Sequence, residues 1–221
     1  MQNGTENKRS LSMDLYFSPL ACSMATRIAL YEAGAEAGFV PVDVRAKRVG
    51  DADFLAVNPM GQVPVLRMED GRLLTENTAI LQYVADRFPE SGLAPAPSAP
   101  ERPVLNQWLA FVTSELHKLV FAPLLAADAP QGARDFAMAK AGPRLAYLDR
   151  HLTGRRFVLD RFTVADAYLV TVLNWADHAR LDLAPYPAIT AYLTAMRRHP
   201  SVRRALSEEL ALYQEAARRA A

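Results

Sequence analysis

The residues best suited to chemistry surround the chain's single cysteine, Cys22. A short apolar and aromatic run precedes it, Ser18-Pro19 breaks that run, and an alanine-rich helical pattern follows. This order predicts a strand, a loop and a helix, with Cys22 near the first turn of the helix. Unpaired main-chain N–H groups and the positive end of the helix dipole favour a thiolate at such a position. Cys22 is therefore a candidate reactive thiol.

A second interpretation of Cys22 stays open, because a lone cysteine often serves as a small buried hydrophobic residue. Ala25 stands where a second thiol would complete a Cys-x-x-Cys pair. Any redox partner of Cys22 must therefore be an external thiol.

A proline-led strand is the second candidate feature, in the segment 58–66. Pro64 opens this strand and has no N–H to donate. A cis bond between Val63 and Pro64 would turn the main-chain groups of Val63 outward, ready to pair with an extended peptide ligand. An ordinary edge-strand proline is the alternative.

The third candidate feature is the start of a helix in the segment 74–80, where Thr75 is expected to cap the helix. Its free amides suit a carboxylate ligand. Glu76 and Asn77 could hold a neighbouring ammonium group and the same carboxylate. The alternative is that Thr75 caps the helix and Glu76 only complements the dipole.

A fourth candidate feature, His117 with Lys118, lies in the first long helix after a linker. The two side chains add hydrogen-bond donors and one positive charge. The alternative is that His117 is a solvated or packed surface histidine.

Composition narrows the classes of function. The chain has 221 residues, of which 51% are hydrophobic and 22% charged, and its net charge is +1. This balance gives no electrostatic case for nucleic acid or an anionic membrane. One cysteine excludes an intrachain disulfide framework and fits a reducing compartment. We find no apolar run long enough to span a membrane, and we expect the polar residues 1–12 to form a flexible extension.

The order of elements predicts two parts. An α/β layer comes first, followed by a proline-rich linker at 94–100 and a part with helical patterns alone. In the first part, strands are expected at 14–18, 39–43, 62–68 and 72–75, and helices at 22–33, 51–57 and 75–87. In the second part, helices are expected at 104–125, 133–152, 164–180, 186–198 and 201–217. Thr163 and Asp166 form a predicted capping box at the start of the third of these.

Together these segments resemble the cytosolic glutathione transferases, most closely the bacterial beta class, from Met13 to about Leu212. The motifs that carry the resemblance are Ser18-Pro19 with Ala21-Cys22-Ser23, Phe54 to Pro59, Gly61 to Pro64, Leu74 to Glu76, Ser114 to Lys118 and Phe162 to Tyr168. The resemblance implies an α/β plus all-α fold, with a thioredoxin-like domain at 13–89, a linker at 90–101 and a helical-bundle domain at 102–221. It also implies a cytoplasmic homodimer that uses glutathione as co-substrate and no metal.

The resemblance assigns roles to individual residues. Cys22 would lie beside the glutathione sulfur and could form a mixed disulfide with it. The main chain of Val63, before a cis Pro64, would pair with the cysteinyl part of the tripeptide. The other expected contacts are Glu76 and Asn77 at the γ-glutamyl end, Lys47 near the glycyl end, and His117 and Lys118 from the helical domain.

The leading hypothesis is a transferase that joins the glutathione thiolate to small hydrophobic electrophiles. Backbone N–H groups, with Ser23 as candidate, would stabilise the thiolate. Phe111, Phe121 and Trp175 are the candidate residues for holding the electrophile. Two alternatives remain: a glutathione-dependent thiol–disulfide reductase that uses Cys22, and a non-catalytic dimer that binds glutathione or hydrophobic ligands.

Four positions depart from the family pattern. Leu20 replaces a glycine common in the cysteine loop, and Phe17 stands where tyrosine is frequent. Asn77 replaces serine or glycine, and Ala110 replaces an asparagine that can reach the ligand. These changes bear on activity and affinity more than on fold.

Overall fold

The computed structural model describes residues 13–220. The predicted extension at 1–12 lies outside the described residues. The strands are β1 (Met13–Phe17), β2 (Ala37–Pro41), β3 (Arg48–Val49), β4 (Ala52–Asp53), β5 (Val65–Arg67) and β6 (Leu73–Leu74). The helices are α1 (Ser23–Glu32), α2 (Asn77–Arg87), α3 (Arg102–Phe111), α4 (Ala122–Leu125), α5 (Gln131–Leu152), α6 (Val164–Leu173), α7 (Pro187–Met196) and α8 (Pro200–Ala220).

The N-terminal domain is built on a four-stranded mixed sheet in the order β2-β1-β5-β6. Strand β1 pairs in parallel with β2 and antiparallel with β5, which pairs antiparallel with β6. Alternate residues of β1, namely Met13, Leu15 and Phe17, are buried, as expected for a strand with one face on the core. Apart from the segment 48–57, the predicted strands and helices of this domain are confirmed, with shifts of one or two residues at most ends.

The short helix expected at 51–57 is largely wrong. Residues 52–53 form β4, which pairs with β3 in a small hairpin. Only Phe54–Ala56 make a single 3₁₀ turn, which begins where the Asp53 carboxylate accepts a hydrogen bond from the Leu55 N–H. An aspartate that bonds the backbone two residues on favours a turn over a longer helix.

The second part of the chain is helical, as predicted. Between α3 and α4 lies a π-helical stretch, Val112–Phe121, which was not predicted. The helix expected at 164–180 ends at Leu173, seven residues early. There the Val170 carbonyl accepts from both the main-chain N–H and the side-chain amide of Asn174, at 3.1 and 2.8 Å. The turns that follow place Trp175 next to the N-terminal domain.

One segment within residues 13–220, Arg102–Leu125, is long and apolar enough to cross a membrane, with 24 residues and a mean hydropathy of 1.2 in its most apolar window. Its side chains at Leu105, Leu109, Leu116 and Val120 are buried in the main core. A helix in the core of a globular domain can have the same length and composition, so these two properties are weak evidence for a membrane span.

The capping box at the start of α6 forms as predicted. The Thr163 N–H donates to the Asp166 carboxylate at 2.9 Å. That carboxylate also accepts from the Val158 N–H at 2.8 Å and the Tyr192 hydroxyl at 3.0 Å. Every residue of α6 is buried, and α6 packs against α1. This central helix therefore ties the helical domain to the helix that follows Cys22.

Candidate active site

Cys22 lies at the start of α1, at the end of the loop from Ser18 to Cys22, and its side chain is partly buried. Its thiol donates a hydrogen bond to the main-chain oxygen of Val63, with Sγ and the oxygen 3.2 Å apart. The N–H groups of Cys22 and Ser23 face the sulfur. The Ser23 hydroxyl is fully buried and bonds the Ser18 carbonyl at 3.2 Å, so only the N–H of Ser23 is available to a ligand.

The helix start favours a thiolate, but it does not determine the ionisation of Cys22 in this structure. Burial raises the pKa of the Cys22 thiol from 9.0 to about 11. The charge of Lys118 and the two N–H groups lower this pKa, and the charge of Glu76 raises it, but desolvation is the largest effect. Cys22 is therefore a neutral thiol at neutral pH.

The bond between Val63 and Pro64 is cis, as the family resemblance implied. Asn58 supports the preceding loop, since its amide donates to the Gln62 carbonyl at 2.7 Å. On the other side, the Lys47 ammonium donates to the Gly61 carbonyl at 3.0 Å. Gly61 has a φ of +60°, which favours glycine, and a Cβ there would lie 2.8 Å from the Lys47 side chain and would displace it.

The expected cap by Thr75 is wrong. Glu76 occupies the position before α2 with a φ of +66°, and it makes no side-chain capping bond. This left-handed conformation turns the main chain away from the geometry that a Thr75 cap requires. A non-glycine residue with this φ is often found at functional sites. The Glu76 side chain is exposed at the rim of the site.

Asn77 is buried, and its amide joins the first two helices. It donates to the Cys22 carbonyl at 3.1 Å and accepts from the Thr26 hydroxyl at 3.0 Å. The Asn77 amide, which was expected to donate to the ligand, therefore has the structural role of holding the two helix starts together. The sequence did not reveal these bonds, because Asn77 and Cys22 lie 55 positions apart.

His117 and Lys118 approach from the π-helical stretch. The His117 Nδ1 lies 2.7 Å from the Tyr168 hydroxyl, and its ring meets the Trp175 ring edge-on, with centroids 5.0 Å apart. Burial, aided by the charge of Lys118, lowers the pKa of His117 to about 4. His117 is thus neutral at physiological pH, and Lys118 supplies the positive charge. π-Helical segments are rare and frequent at functional sites.

Two adjoining cavities meet at these residues. The smaller one contains seven of the predicted residues: Cys22, Val63, Pro64, Glu76, Asn77, His117 and Lys118. It is also lined by Thr113 and Tyr168, which the sequence analysis did not select. Thr113 stands one helical turn before His117, a spacing that signals a shared face. Tyr168 lies on another helix, and no local pattern points to it.

The larger cavity has a volume of about 1200 Å³ and lies between the two domains. Lys47 and Trp175, which were expected at the ligand's glycyl end and at the electrophile, both line this cavity. Neither Phe111 nor Phe121 lines either cavity within residues 13–220. Phe111 packs against Trp108 and Tyr147, and Phe121 is fully buried behind Trp175. The prediction that these two residues line the electrophile site is wrong, because an apolar position on a helix can also face the core.

Comparison with known proteins identifies the family. The family model described as "Glutathione S-transferase, N-terminal domain" matches residues 12–86, and the one described as "Glutathione S-transferase, C-terminal domain" matches residues 112–200. This chain belongs to the glutathione S-transferase family. It is 40% identical to the glutathione S-transferase GstA of Escherichia coli O157:H7, over 89% of this chain and 98% of that relative.

Solved glutathione S-transferases share the whole fold. One is a sphingomonad glutathione S-transferase in complex with glutathione, with 43% identity and a TM-score of 0.84. Another is a bacterial beta-class enzyme of Sphingomonas chungbukensis, with 40% identity and a TM-score of 0.85. Each match covers 89% of this chain and 98% of the other. The predicted fold and family, glutathione transferase with beta-class likeness, are confirmed.

Proposed function

We propose that glutathione lies extended across the two cavities of this transferase, with its γ-glutamyl end in the smaller one and its sulfur at their junction. The observation that carries this proposal is that Cys22, Val63, His117 and Lys118 line both cavities. A ligand whose cysteinyl main chain pairs with Val63 then brings its own sulfur beside Cys22 and in front of the larger cavity.

The ends of the tripeptide have matching partners. The γ-glutamyl ammonium lies near the exposed Glu76 carboxylate, and its carboxylate lies near the first amides of α2. At the other end, Lys47 offers its positive charge to the glycyl carboxylate. Its ammonium is already positioned by the Gly61 carbonyl, so little side-chain entropy remains to be lost on binding.

The chemical step is the attack of the glutathione thiolate on an electrophilic carbon. The N–H groups of Cys22 and Ser23 and the charge of Lys118 stabilise the sulfur anion. A C–S bond forms, the bond to the leaving group breaks, and the bonding electrons depart with that group. The electrophile occupies the larger cavity against the Trp175 ring.

The state of Cys22 favours conjugation over the reductase alternative. A reductase of this type would need Cys22 itself as the attacking thiolate. Burial keeps that thiol protonated, with a pKa of about 11, so the nucleophile is the sulfur of glutathione. Cys22 then acts as a neighbour of that sulfur.

The test measures the ultraviolet thiolate absorbance of glutathione bound to the Cys22→Ala variant, in which the signal belongs to glutathione alone. We expect the pKa of the bound thiol to fall below its free value, with conjugation of a chloronitroarene retained. Reduction of a glutathione mixed disulfide should be absent in the wild type. An unchanged pKa on binding would contradict the proposal.

The alternatives give different results in the same assays. Mixed-disulfide reduction by the wild type that is lost in the variant would favour the reductase chemistry of Cys22. Binding without turnover in the wild type would favour the non-catalytic dimer.

We infer that the enzyme is a cytoplasmic homodimer. Exposed apolar side chains on the helical domain support a second copy as the partner: Val104, Phe136, Met138 and Tyr147. Sedimentation should give a dimer, and Phe136→Glu should shift it toward monomer. A monomeric wild type would contradict the inference.

A further inference from the structure

The loop before Cys22 is held by a buried carboxylate from the last helix. The Leu20 N–H donates to Glu209 Oε2 at 2.7 Å. The Leu20 carbonyl accepts from the Trp175 indole N–H at 2.9 Å. Leu20 has a φ of +62°, which a leucine rarely adopts without external support. Both main-chain groups of this residue are thus fixed by the helical domain.

Glu209 is itself fixed by a buried cation. Its side chain is fully buried, and Oε1 lies 2.9 Å from Arg27 Nε. The guanidinium of Arg27 packs over the rings of Phe17 and Phe39, at 4.2 and 4.1 Å from their centroids. Burying a carboxylate and a guanidinium costs desolvation free energy, so the presence of this pair beside the loop requires an explanation.

We propose that Glu209 is a positioning residue for the reaction, holding Leu20, and through it Cys22 and its N–H group, in the geometry that receives the glutathione sulfur. One residue separates Leu20 from Cys22 and two separate it from Ser23, whose N–H groups face the sulfur. A shift of about 1 Å in such groups can cost on the order of a hundredfold in rate. The inference rests on the proposed function for its kinetic readout only.

The chain offers a matched control in the neighbouring residue, Glu208. Its carboxylate pairs with the same Arg27, with Oε2 at 3.1 Å from Nη1, and it accepts from the Tyr31 hydroxyl. No contact joins Glu208 to the cysteine loop among the hydrogen bonds of residues 13–220. Glu208→Gln therefore removes a charge beside Arg27 and leaves the Leu20 bond intact.

The experiment compares Glu209→Gln with Glu208→Gln in two measurements. The first is the kcat and KM of conjugation. The second is the rate at which iodoacetamide alkylates Cys22, the only thiol in the chain. Both are measured at pH 8, because burial raises the pKa of Glu209 to about 7 and the carboxylate is then mostly ionised. Circular dichroism confirms that each variant is folded under the assay conditions.

We expect Glu209→Gln to lower kcat by about ten- to a hundredfold. It should also speed alkylation of Cys22, because a released loop admits water to the thiol. Glu208→Gln should leave kcat and alkylation within about twofold of wild type. Unchanged kcat and alkylation in Glu209→Gln, or equal changes in both variants, would overturn the proposal.

Glu209→Asp tests the hydrogen bond to Leu20 separately from the negative charge that compensates Arg27. It keeps the carboxylate beside Arg27 but is one methylene too short to hold the Leu20 N–H. If it behaves as wild type, charge compensation of Arg27 is the whole role and the proposal fails. If Glu209→Gln does not fold, this variant decides by the same readouts. A wild type without conjugation would reject the proposed function, while alkylation rates would still test the loop.

Discussion

The thiol of Cys22 donates one hydrogen bond to the carbonyl of Val63, with 3.2 Å between Sγ and the oxygen. This bond needs the neutral thiol, since a thiolate has no proton to donate. Burial and this hydrogen bond both favour the neutral thiol, whereas the N–H groups at the helix start and the charge of Lys118 favour the thiolate. Ionisation of Cys22 therefore removes its hydrogen bond to Val63, the residue whose main chain pairs with glutathione in the proposed complex.

The first prediction concerns the ionisation of Cys22. Between pH 7 and 10 the rate of alkylation by iodoacetamide should rise about tenfold per pH unit, because the thiolate fraction rises tenfold per unit below a pKa of about 11. A rate that levels off below pH 8 would contradict the raised pKa. Lys118→Met should slow alkylation further, since the charge of Lys118 lowers this pKa, whereas Lys140→Met, distant from both cavities, should not.

The second prediction concerns His117. Its pKa of about 4 lies below the ordinary value of 6.5, so the unfolded chain takes up a proton at this site between pH 6.5 and 4 and the native state does not. The free energy of unfolding should therefore fall as the pH decreases through this window. His117→Gln should show a shallower fall in urea titrations at several pH values. An unchanged slope would show that His117 titrates alike in both states.

The third prediction concerns Glu76. Glu76→Gln keeps the shape of the side chain and removes the charge offered to the γ-glutamyl ammonium. We expect the KM for glutathione to rise about tenfold or more, with a smaller change in kcat, because a charge-assisted hydrogen bond is lost from binding. Glu90→Gln, an exposed residue after α2, is the control. Equal KM values in the two variants would remove Glu76 from the site.

The fourth prediction compares the stability effects of two helix starts that were both expected to be capped, Thr163 before α6 and Thr75 before α2. Asp166→Ala removes the acceptor of the Val158, Thr163 and Tyr192 donors, and it should lower the free energy of unfolding by about 3 kcal/mol. Thr75→Ala should cost less than about 0.5 kcal/mol, because Thr75 does not cap α2. Chemical denaturation measures both. A Thr75 variant as unstable as a lost cap would contradict the structure.

The sequence predicted those features that depend on neighbours along the chain. The capping box of Thr163 and Asp166 is a local signal, and it forms. The cap by Thr75 fits the same local rule, but the left-handed conformation of Glu76 prevents it. The pattern around Cys22 placed the thiol at the helix start but did not give its charge, because burial is set by residues far away in sequence.

Long-range contacts account for the residues that were missed. The Trp175 indole reaches Leu20 across 155 positions, and the Tyr168 hydroxyl reaches His117 across 51. No spacing rule relates such pairs. Phe111 and Phe121 show the converse, since a helical aromatic pattern does not reveal which residues face a cavity and which fill the core.

The bond between Leu20 and Glu209 spans 189 positions of the chain. During synthesis the N-terminal domain can form its sheet early, while the residue that clamps its cysteine loop has not yet been made. The thiol pocket is therefore completed only after α8 has been made, and a nascent chain that stops short of α8 has a cysteine loop without this support.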